Sequence, residues 1–169
     1  MSEELPPPPR RNPELVGHRE AAASVQRAFA RGRPHHAWLI AGAPGIGKAT
    51  LAFRAARWIL AGARPADPPL ALDPAHPVFR RVGAGSHADL HVIQREWNQK
   101  TRRMSSVLTV EQVRGIGRFL HLSAGEGAYR VVVVDPADEL QYPQASNALL
   151  KLLEEPPPGA MLFLVSHAP

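Results

Sequence analysis

Seven residues, Gly42-Ala-Pro-Gly-Ile-Gly-Lys48, have the composition and spacing of a loop that binds phosphate. Glycines allow backbone N–H groups to turn toward an anion, and a lysine at the end of the loop can reach the terminal phosphates of a nucleotide. The apolar run Trp38 to Ala41 precedes the loop, and a helical pattern follows it. This context favours a phosphate loop over a glycine-rich turn with a solvated lysine, and it predicts nucleotide-binding roles for Gly42, Gly45, Gly47 and Lys48.

The position after the lysine departs from the pattern of a phosphate loop. A serine or threonine there normally supplies a hydroxyl to Mg²⁺, but this chain has Ala49. Thr50 comes next, and one step along a helix turns a side chain by about 100°, so Thr50 does not simply take over the role. The residues allow weak binding of ATP and Mg²⁺ and leave open whether ATP binds at all.

A carboxylate at the end of a buried strand is the second half of such a site. Four valines, Val131 to Val134, run into Asp135, which is suited to hold the water shell of a metal. Hydrolysis of this type usually has a glutamate directly after the aspartate to orient water, but Pro136 offers no proton acceptor. We interpret Asp138 and Glu139 as solvated loop acids, with their recruitment to hydrolysis as the alternative.

Short apolar strands alternate with amphipathic helices along the chain, which predicts a parallel α/β sheet flanked by helices. Strands are expected at Trp38–Ala41, Leu90–Ile93, Arg130–Asp135 and Met161–Ser166. Helices are expected within residues 14–31, directly after the phosphate loop, after a capping box of Thr109 with Gln112, and around residues 145–153. The segment 98–105 is expected to be a polar, basic loop.

Composition excludes several classes of protein. The chain has 169 residues, of which 44% are hydrophobic, enough for one core. No apolar run approaches the roughly 18 residues of a membrane helix, and the amino terminus lacks the pattern of an export signal, so we expect a soluble, cytoplasmic protein. There is no cysteine, which rules out disulfides and thiolate zinc. A net charge of +5 fits either a polyanion partner or a solvated basic surface.

One segment precedes the predicted domain, residues 14–169, and a second segment interrupts it. Residues 1–13 contain five prolines and two adjacent arginines, and we expect them to form a disordered tail. Residues 62–89 break the alternating pattern with prolines and small residues, and we expect an insertion there.

Four motifs together resemble one family. They are Leu15-Val-Gly-His18, the segment His36 to Gly42 leading into the phosphate loop, Val131 to Asp135, and Ser146-Asn-Ala-Leu-Leu-Lys-Leu-Leu-Glu-Glu-Pro156. The sequence is similar to the delta-prime subunits of bacterial DNA polymerase III, in the clamp-loader branch of the AAA+ ATPases. The resemblance runs from Leu15 to the carboxyl end and is weakest between Gly62 and Leu90.

The resemblance implies a RecA-like AAA+ domain that is incomplete at the carboxyl terminus, without the lid and collar domains of the family. It also implies a stator that helps to load the sliding clamp on primed DNA in replication. Its partners would be the gamma or tau motor and delta wrench subunits, and DNA within the assembled complex. As a subunit of a DNA-directed DNA polymerase holoenzyme it would lack ATPase activity of its own, with which Ala49 and Pro136 agree.

By the same resemblance, Val16 and Gly17 would lie near an adenine pocket. Many relatives carry a four-cysteine zinc module where this chain has residues 62–89, and without cysteine we expect no zinc. We assign no residue of the chain as a metal ligand. The alternatives that the sequence leaves open are an active ATPase of the motor type, with Thr50 and Asp138 recruited, and a DNA-binding module that uses the basic residues Lys100 to Arg103.

Two further pairs of charged residues are candidates for contacts. Arg114 and Arg118 lie four residues apart beside the apolar face of their helix, and they are candidates for DNA phosphates, with a solvated helix face as the more favoured interpretation. Glu154 and Glu155 stand at a helix carboxyl end, where each negative charge costs about 0.3–1 kcal/mol. They fit a subunit interface and a solvated helix end equally well.

Overall fold

The structure, a computed structural model, describes residues 5 to 168, so the first four residues of the expected tail lie outside the described residues. The helices are α1 (Arg19–Ala30), α2 (Lys48–Leu60), α3 (Pro77–Ala84), α4 (Val110–His121) and α5 (Gln144–Glu154). The strands are β1 (Ala37–Ala41), β2 (Leu90–Gln94), β3 (Trp97–Asn98), β4 (Arg103–Met104), β5 (Arg130–Asp135) and β6 (Ala160–Ser166). The chain forms two compact units, residues 1–34 with 45–87 and residues 35–44 with 88–169.

The second unit is built on a parallel sheet of four strands in the order β1-β6-β5-β2, which confirms the predicted parallel α/β fold. Strand β5 lies inside the sheet and is buried from Arg130 to Val134. A run of valines suits this place because β-branched side chains pack well on a pleated surface and no position has to face water. The sheet register sets Val134 beside Leu164 of β6 and Asp135 beside Gln94 of β2.

Helices α4 and α5 pack together on one face of this sheet. Their buried side chains meet alternate residues of the strands, and this core contains Val113, Ile116, Leu120, Ala145, Leu149, Val132, Val134, Leu162 and Leu164. The predicted capping box is present: Gln112 donates its backbone N–H to the Thr109 hydroxyl, and the Thr109 N–H reaches the Gln112 side-chain oxygen at 2.9 Å. The cap sets where α4 begins and so which side chains face the core.

A buried ion pair joins Asp89, the residue before β2, to Arg130 at the start of β5. The Asp89 carboxylate accepts the N–H groups of Gly125 and Glu126 at 2.7 and 3.0 Å and lies 3.6 Å from the Arg130 guanidinium. Arg130 also donates to the carbonyl oxygens of Phe119 and Ser123. Because each charge has several polar partners, the pair compensates for part of the cost of leaving water.

The segment 98–105, predicted as a loop, instead contributes to an antiparallel hairpin made of β3 and β4. Asn98 is the reason for its tight turn, since its side-chain oxygen accepts the N–H groups of Lys100 and Thr101. A strand of two residues is too short to show the alternation of apolar and polar side chains from which strands are predicted.

Arginines of α2 organise the first unit. The Arg57 guanidinium donates to the carbonyl oxygens of Pro9, Arg10 and Asn12 at 3.4, 3.1 and 2.9 Å and lies 4.3 Å over the Phe79 ring. Burial, and secondarily the charge of Arg54, lowers the pKa of Arg57 to about 10, so it stays a cation at neutral pH. Residues 5–13, the described part of the segment expected to be disordered, include a short 3₁₀ turn and are held by these contacts.

Residues 62–89, expected to be an insertion, contain α3 and a packed connection in the structure. The His76 ring nitrogen Nδ1 accepts the Val78 N–H at 3.1 Å and caps α3. Gln26 of α1 donates to the Ala66 carbonyl and accepts the N–H of Leu70, whose side chain is fully buried. The backbone of this stretch therefore has side-chain partners in α1.

Replacing Arg57 by lysine should lower the free energy of unfolding by about 2 kcal/mol. An ammonium group cannot match three carbonyl oxygens as a planar guanidinium does, and buried carbonyls without a partner are costly. Urea denaturation at pH 7 measures the change. The control is Arg31→Lys, an exposed position where we expect a change within about 0.5 kcal/mol. Equal stability of the two variants would contradict the role given to Arg57.

Candidate nucleotide site

The phosphate loop lies between β1 and α2, as the sequence predicts. Gly42 continues from β1 and donates its N–H to the Ser166 carbonyl oxygen at 3.2 Å. Gly45 and Gly47 have φ of 79° and 95°, in the left-handed region where a side chain would be strained. Gly47 is the N-cap of α2, and Lys48 is its first residue. The first turn of a helix carries N–H groups that the helix itself does not pair, and the positive end of the helix dipole favours an anion at this place.

A cleft of about 620 Å³ lies beside the loop in the first unit. Its lining includes Gly45, Gly47 and Thr50 from the loop and α2, together with Val16 and the proline-rich segment that Arg57 holds. This volume is typical of a small-molecule site. Val16 is 85% exposed and offers an apolar surface there. The structure thus brings Val16, predicted near an adenine pocket, into one cleft with the phosphate loop.

His18 connects the start of α1 to the phosphate loop, a contact that sequence reasoning missed. Its Nε2 lies 2.6 Å from the Ile46 carbonyl oxygen, and because a carbonyl only accepts, this nitrogen must carry the proton. Gly17 and His18 both have left-handed backbone angles, which turn the chain into α1. The signal was present in the motif Leu15 to His18, but no spacing rule links a histidine to a loop 28 residues away.

The remaining predicted residues of α2 differ in what they offer to a ligand. Lys48 is buried, with 3% of its surface exposed. Thr50 lines the cleft, whereas Ala49 does not, and its methyl group has no oxygen to offer a metal. Gly17 adjoins Val16 and lines a second cleft, of about 540 Å³.

Gly42 and Asp135 belong to the second unit. Both stand at the carboxyl edge of the parallel sheet, where β1 and β5 end on either side of β6. This edge is where ligands bind in open α/β sheets. The structure therefore places these two residues on the edge that a nucleotide site would use.

The loop acids after Asp135 have structural partners. Burial alone would raise the pKa of Asp138, but hydrogen bonds from the backbone N–H groups of His167 and of Asp138 itself, with smaller contributions from the His167 charge and the Ser166 hydroxyl, hold it below its ordinary value. The His167 N–H lies 2.9 Å from a carboxylate oxygen of Asp138. Glu139 forms an ion pair with Arg95 at 3.1 Å. Neither acid is arranged as a free general base.

The two arginine candidates lie on the exposed side of α4. Arg114 forms an ion pair with Glu111 at 2.6 Å, which occupies its guanidinium in the free chain. Arg118 acts on His91, which stacks on Phe119. Burial, and secondarily the charge of Arg118, lowers the pKa of His91. Contact of either arginine with DNA stays a prediction.

Glu154 and Glu155 close α5 and are both exposed. Within residues 5–168 neither carboxylate has an ion-pair partner, and the pair that Glu155 and Lys151 could form at i, i+4 is not made. Their role at a subunit interface stays a prediction.

Among the residues that the structure describes, no group of three or more His, Asp or Glu side chains is arranged to hold a metal ion. In the same part of the chain, no helix has the length and apolar character needed to span a membrane.

A parallel sheet with a phosphate loop after its first strand defines a P-loop α/β domain. The family described as "DNA polymerase III, delta subunit" matches residues 17–169, and the chain belongs to this family.

Individual relatives agree with this assignment. The chain is 36% identical to the DNA polymerase III subunit delta' of Pseudomonas aeruginosa, over 82% of this chain and 39% of the relative. It is 33% identical to the delta' subunit of Escherichia coli, over 84% of this chain and 40% of the relative. It is 28% identical to the DNA polymerase III subunit gamma of Buchnera aphidicola subsp. Acyrthosiphon pisum, over 90% of this chain and 39% of the relative. The chain thus spans about two fifths of the length of these curated relatives.

A solved structure supports the fold alone. A DNA polymerase III gamma subunit-related protein from Thermotoga maritima superposes with a TM-score of 0.59 at 19% identity, over 86% of this chain and 38% of that chain.

Replacing Arg118 by glutamine should raise the pKa of His91. The positive charge of Arg118 disfavours the protonated imidazole, so its removal moves the pKa of His91 back toward 6.5. An NMR titration of the His91 ring protons between pH 4 and 8 measures the midpoint. Arg114→Gln is the matched control on the same helix and should leave that midpoint unchanged. An identical midpoint in wild type and Arg118→Gln would show that Arg118 does not act on His91.

Proposed function

We propose that this chain is the phosphate-loop domain of a delta-prime type clamp-loader subunit, which acts as a stator and does not hydrolyse ATP. The observation that carries the proposal is a phosphate loop that leads through Gly47, the N-cap of α2, into Lys48. The residue after this lysine is Ala49, which has no hydroxyl group to bind a metal. The names of the relatives, delta', gamma and tau subunits of DNA polymerase III, supply the assembly in which such a domain works.

In this proposal the loop and the cleft beside it have distinct tasks. Backbone N–H groups at the start of α2 and the Lys48 ammonium bind phosphate. Val16 offers apolar contact to the base, and His18 holds the loop through the Ile46 carbonyl. None of these contacts requires a metal, so binding survives the loss of the hydroxyl that would ligate Mg²⁺, with lower affinity.

Hydrolysis fails for a separate reason. A general base has to lie within hydrogen-bond reach of the attacking water. Pro136 provides no such group, Asp138 binds the His167 N–H, and Glu139 is paired with Arg95. For Asp138 or Glu139 to act as the base, its hydrogen bond to His167 or its ion pair with Arg95 would have to break.

The partners we propose are the gamma or tau motor and the delta subunit, with DNA in the assembled complex. Glu154 and Glu155 suit an interface, because two exposed carboxylates at the negative end of a helix become favourable beside a cationic neighbour. Arg118, and Arg114 once released from Glu111, would contact DNA phosphates.

An active ATPase of the motor type is the second candidate. Thr50 favours it, because this side chain lines the cleft beside the loop. The gamma and tau relatives belong to the same polymerase.

Titration with ATP, read by calorimetry with and without Mg²⁺, should distinguish the two candidates. For the stator we expect weak binding that hardly responds to Mg²⁺, at least tenfold weaker binding in Lys48→Ala, and no release of phosphate. Ala49→Thr should make binding depend on Mg²⁺, since it restores the missing hydroxyl. Lys151→Ala, on the exposed side of α5, is the matched control for the loss of a lysine. Magnesium-dependent phosphate release that disappears in Lys48→Ala would establish the active ATPase instead.

A further inference from the structure

The hairpin of β3 and β4 exposes two large apolar side chains directly opposite each other. Trp97 pairs with Met104 across the strands, and they are 54% and 53% exposed. The proposed nucleotide site does not use this hairpin. An indole ring has a flat apolar face that stacks well on other rings. This face of Trp97 is partly exposed to water and is available for such a contact.

The same hairpin concentrates positive charge without compensation. Lys100, Arg102 and Arg103 occupy its turn and second strand, and within residues 5–168 none of the three has an ion-pair partner. Glu96 is the acidic residue at its base. Three cations without ion-pair partners can bind the negative charges of a polyanion, and the exposed aromatic ring beside them can stack on flat rings that the same polyanion carries.

The hairpin is held in shape before any ligand arrives. Asn98 fixes the turn through the N–H groups of Lys100 and Thr101, and the Ser105 N–H donates to the Glu96 carbonyl oxygen at 2.8 Å. Arg102 has φ of 50°, which sets the direction of the chain into β4. A preformed loop loses little conformational entropy when it binds.

A cleft of about 480 Å³ adjoins the Trp97 ring. The residues that line it include Asn98, Gln99, Lys100 and Gln112. The amide oxygens of Asn98 and Gln112 already accept backbone N–H groups, and the Gln112 amide nitrogen donates to the Gln94 carbonyl oxygen. Gln99 therefore offers its amide, and Lys100 its ammonium, to a ligand. Amide groups donate and accept hydrogen bonds, as the edges of nucleobases require. The cleft therefore offers polar partners beside a stacking surface.

We propose that this hairpin binds unpaired nucleotides of a single-stranded nucleic acid. A base stacks on Trp97, and the phosphates beside it contact Lys100, Arg102 and Arg103. Single strands are favoured over duplex because bases inside a duplex have both faces covered by their neighbours. An acidic peptide would use the three cations but would leave the exposed ring without a matching partner. The proposal does not depend on whether the phosphate loop binds or hydrolyses ATP.

Binding of a fluorescent oligo(dT) to the whole chain, measured by anisotropy across a range of salt concentrations, tests the proposal. Trp97→Leu should weaken binding about tenfold, within the range for losing one base–aromatic stack, and Trp97→Phe should retain most of the affinity. Changing Lys100, Arg102 and Arg103 together to glutamine should lower the slope of log affinity against log salt by about 2. A blunt duplex should bind more weakly than the single strand.

The matched control removes three other exposed arginines of the first unit, Arg31, Arg33 and Arg64, which have no ion-pair partner among the residues that the structure describes. Changing these to glutamine alters the net charge equally and should leave most of the affinity. Thermal unfolding of every variant distinguishes lost binding from lost structure. Equal losses in the two triple variants, or full affinity in Trp97→Leu, would overturn the proposal. Polyglutamate that competes as well as oligo(dT) would assign the surface to an acidic protein and overturn it too.

Discussion

The parallel pairing of β5 between β2 and β6 is the constraint on which the second unit depends. A strand buried along its length must pair all of its backbone groups with neighbours and must carry apolar side chains, which the four valines provide. Parallel strands need crossover connections, so their carboxyl ends collect at one edge. Gly42 and Asp135 reach that edge for this reason, although 93 positions separate them in the chain.

In the first unit, two buried arginine side chains of α2 hold the surrounding segments in place. Arg57 and Arg54 are buried cations, and what they bind is mainly backbone carbonyl groups of the proline-rich segment and of the residues near Pro69. Proline has no N–H to offer a sheet or helix, but its carbonyl is a good acceptor, so arginine is the suitable partner for such a segment. The same segment forms a wall of the cleft beside the phosphate loop, which connects the packing of α2 with presentation of Val16.

In the proposed function, the chain keeps the groups that bind phosphate and lacks the groups that hydrolyse ATP. Binding phosphate needs backbone geometry, which the glycines and the start of α2 preserve, whereas hydrolysis needs a metal ligand and a base, which Ala49 and Pro136 do not supply. A subunit of this kind contributes shape and contacts to an assembly. The hairpin with Trp97 adds a second surface, chemically suited to nucleic acid and independent of the nucleotide cleft.

The sequence by itself determined the parallel fold, the family and the phosphate loop, because periodicity, glycine spacing and the valine strand are local patterns. It placed β5 within residues 130–135 and the cap of α4 at Thr109, as the structure has them. Only the tertiary structure decided that Arg57 holds the proline-rich segment, that His18 reaches Ile46, and that Asp138 is bound to the His167 N–H. These contacts join residues 28 to 48 positions apart. Side chains that bind backbone carbonyls or N–H groups depend on where the chain passes in space, and that information is absent from any local spacing.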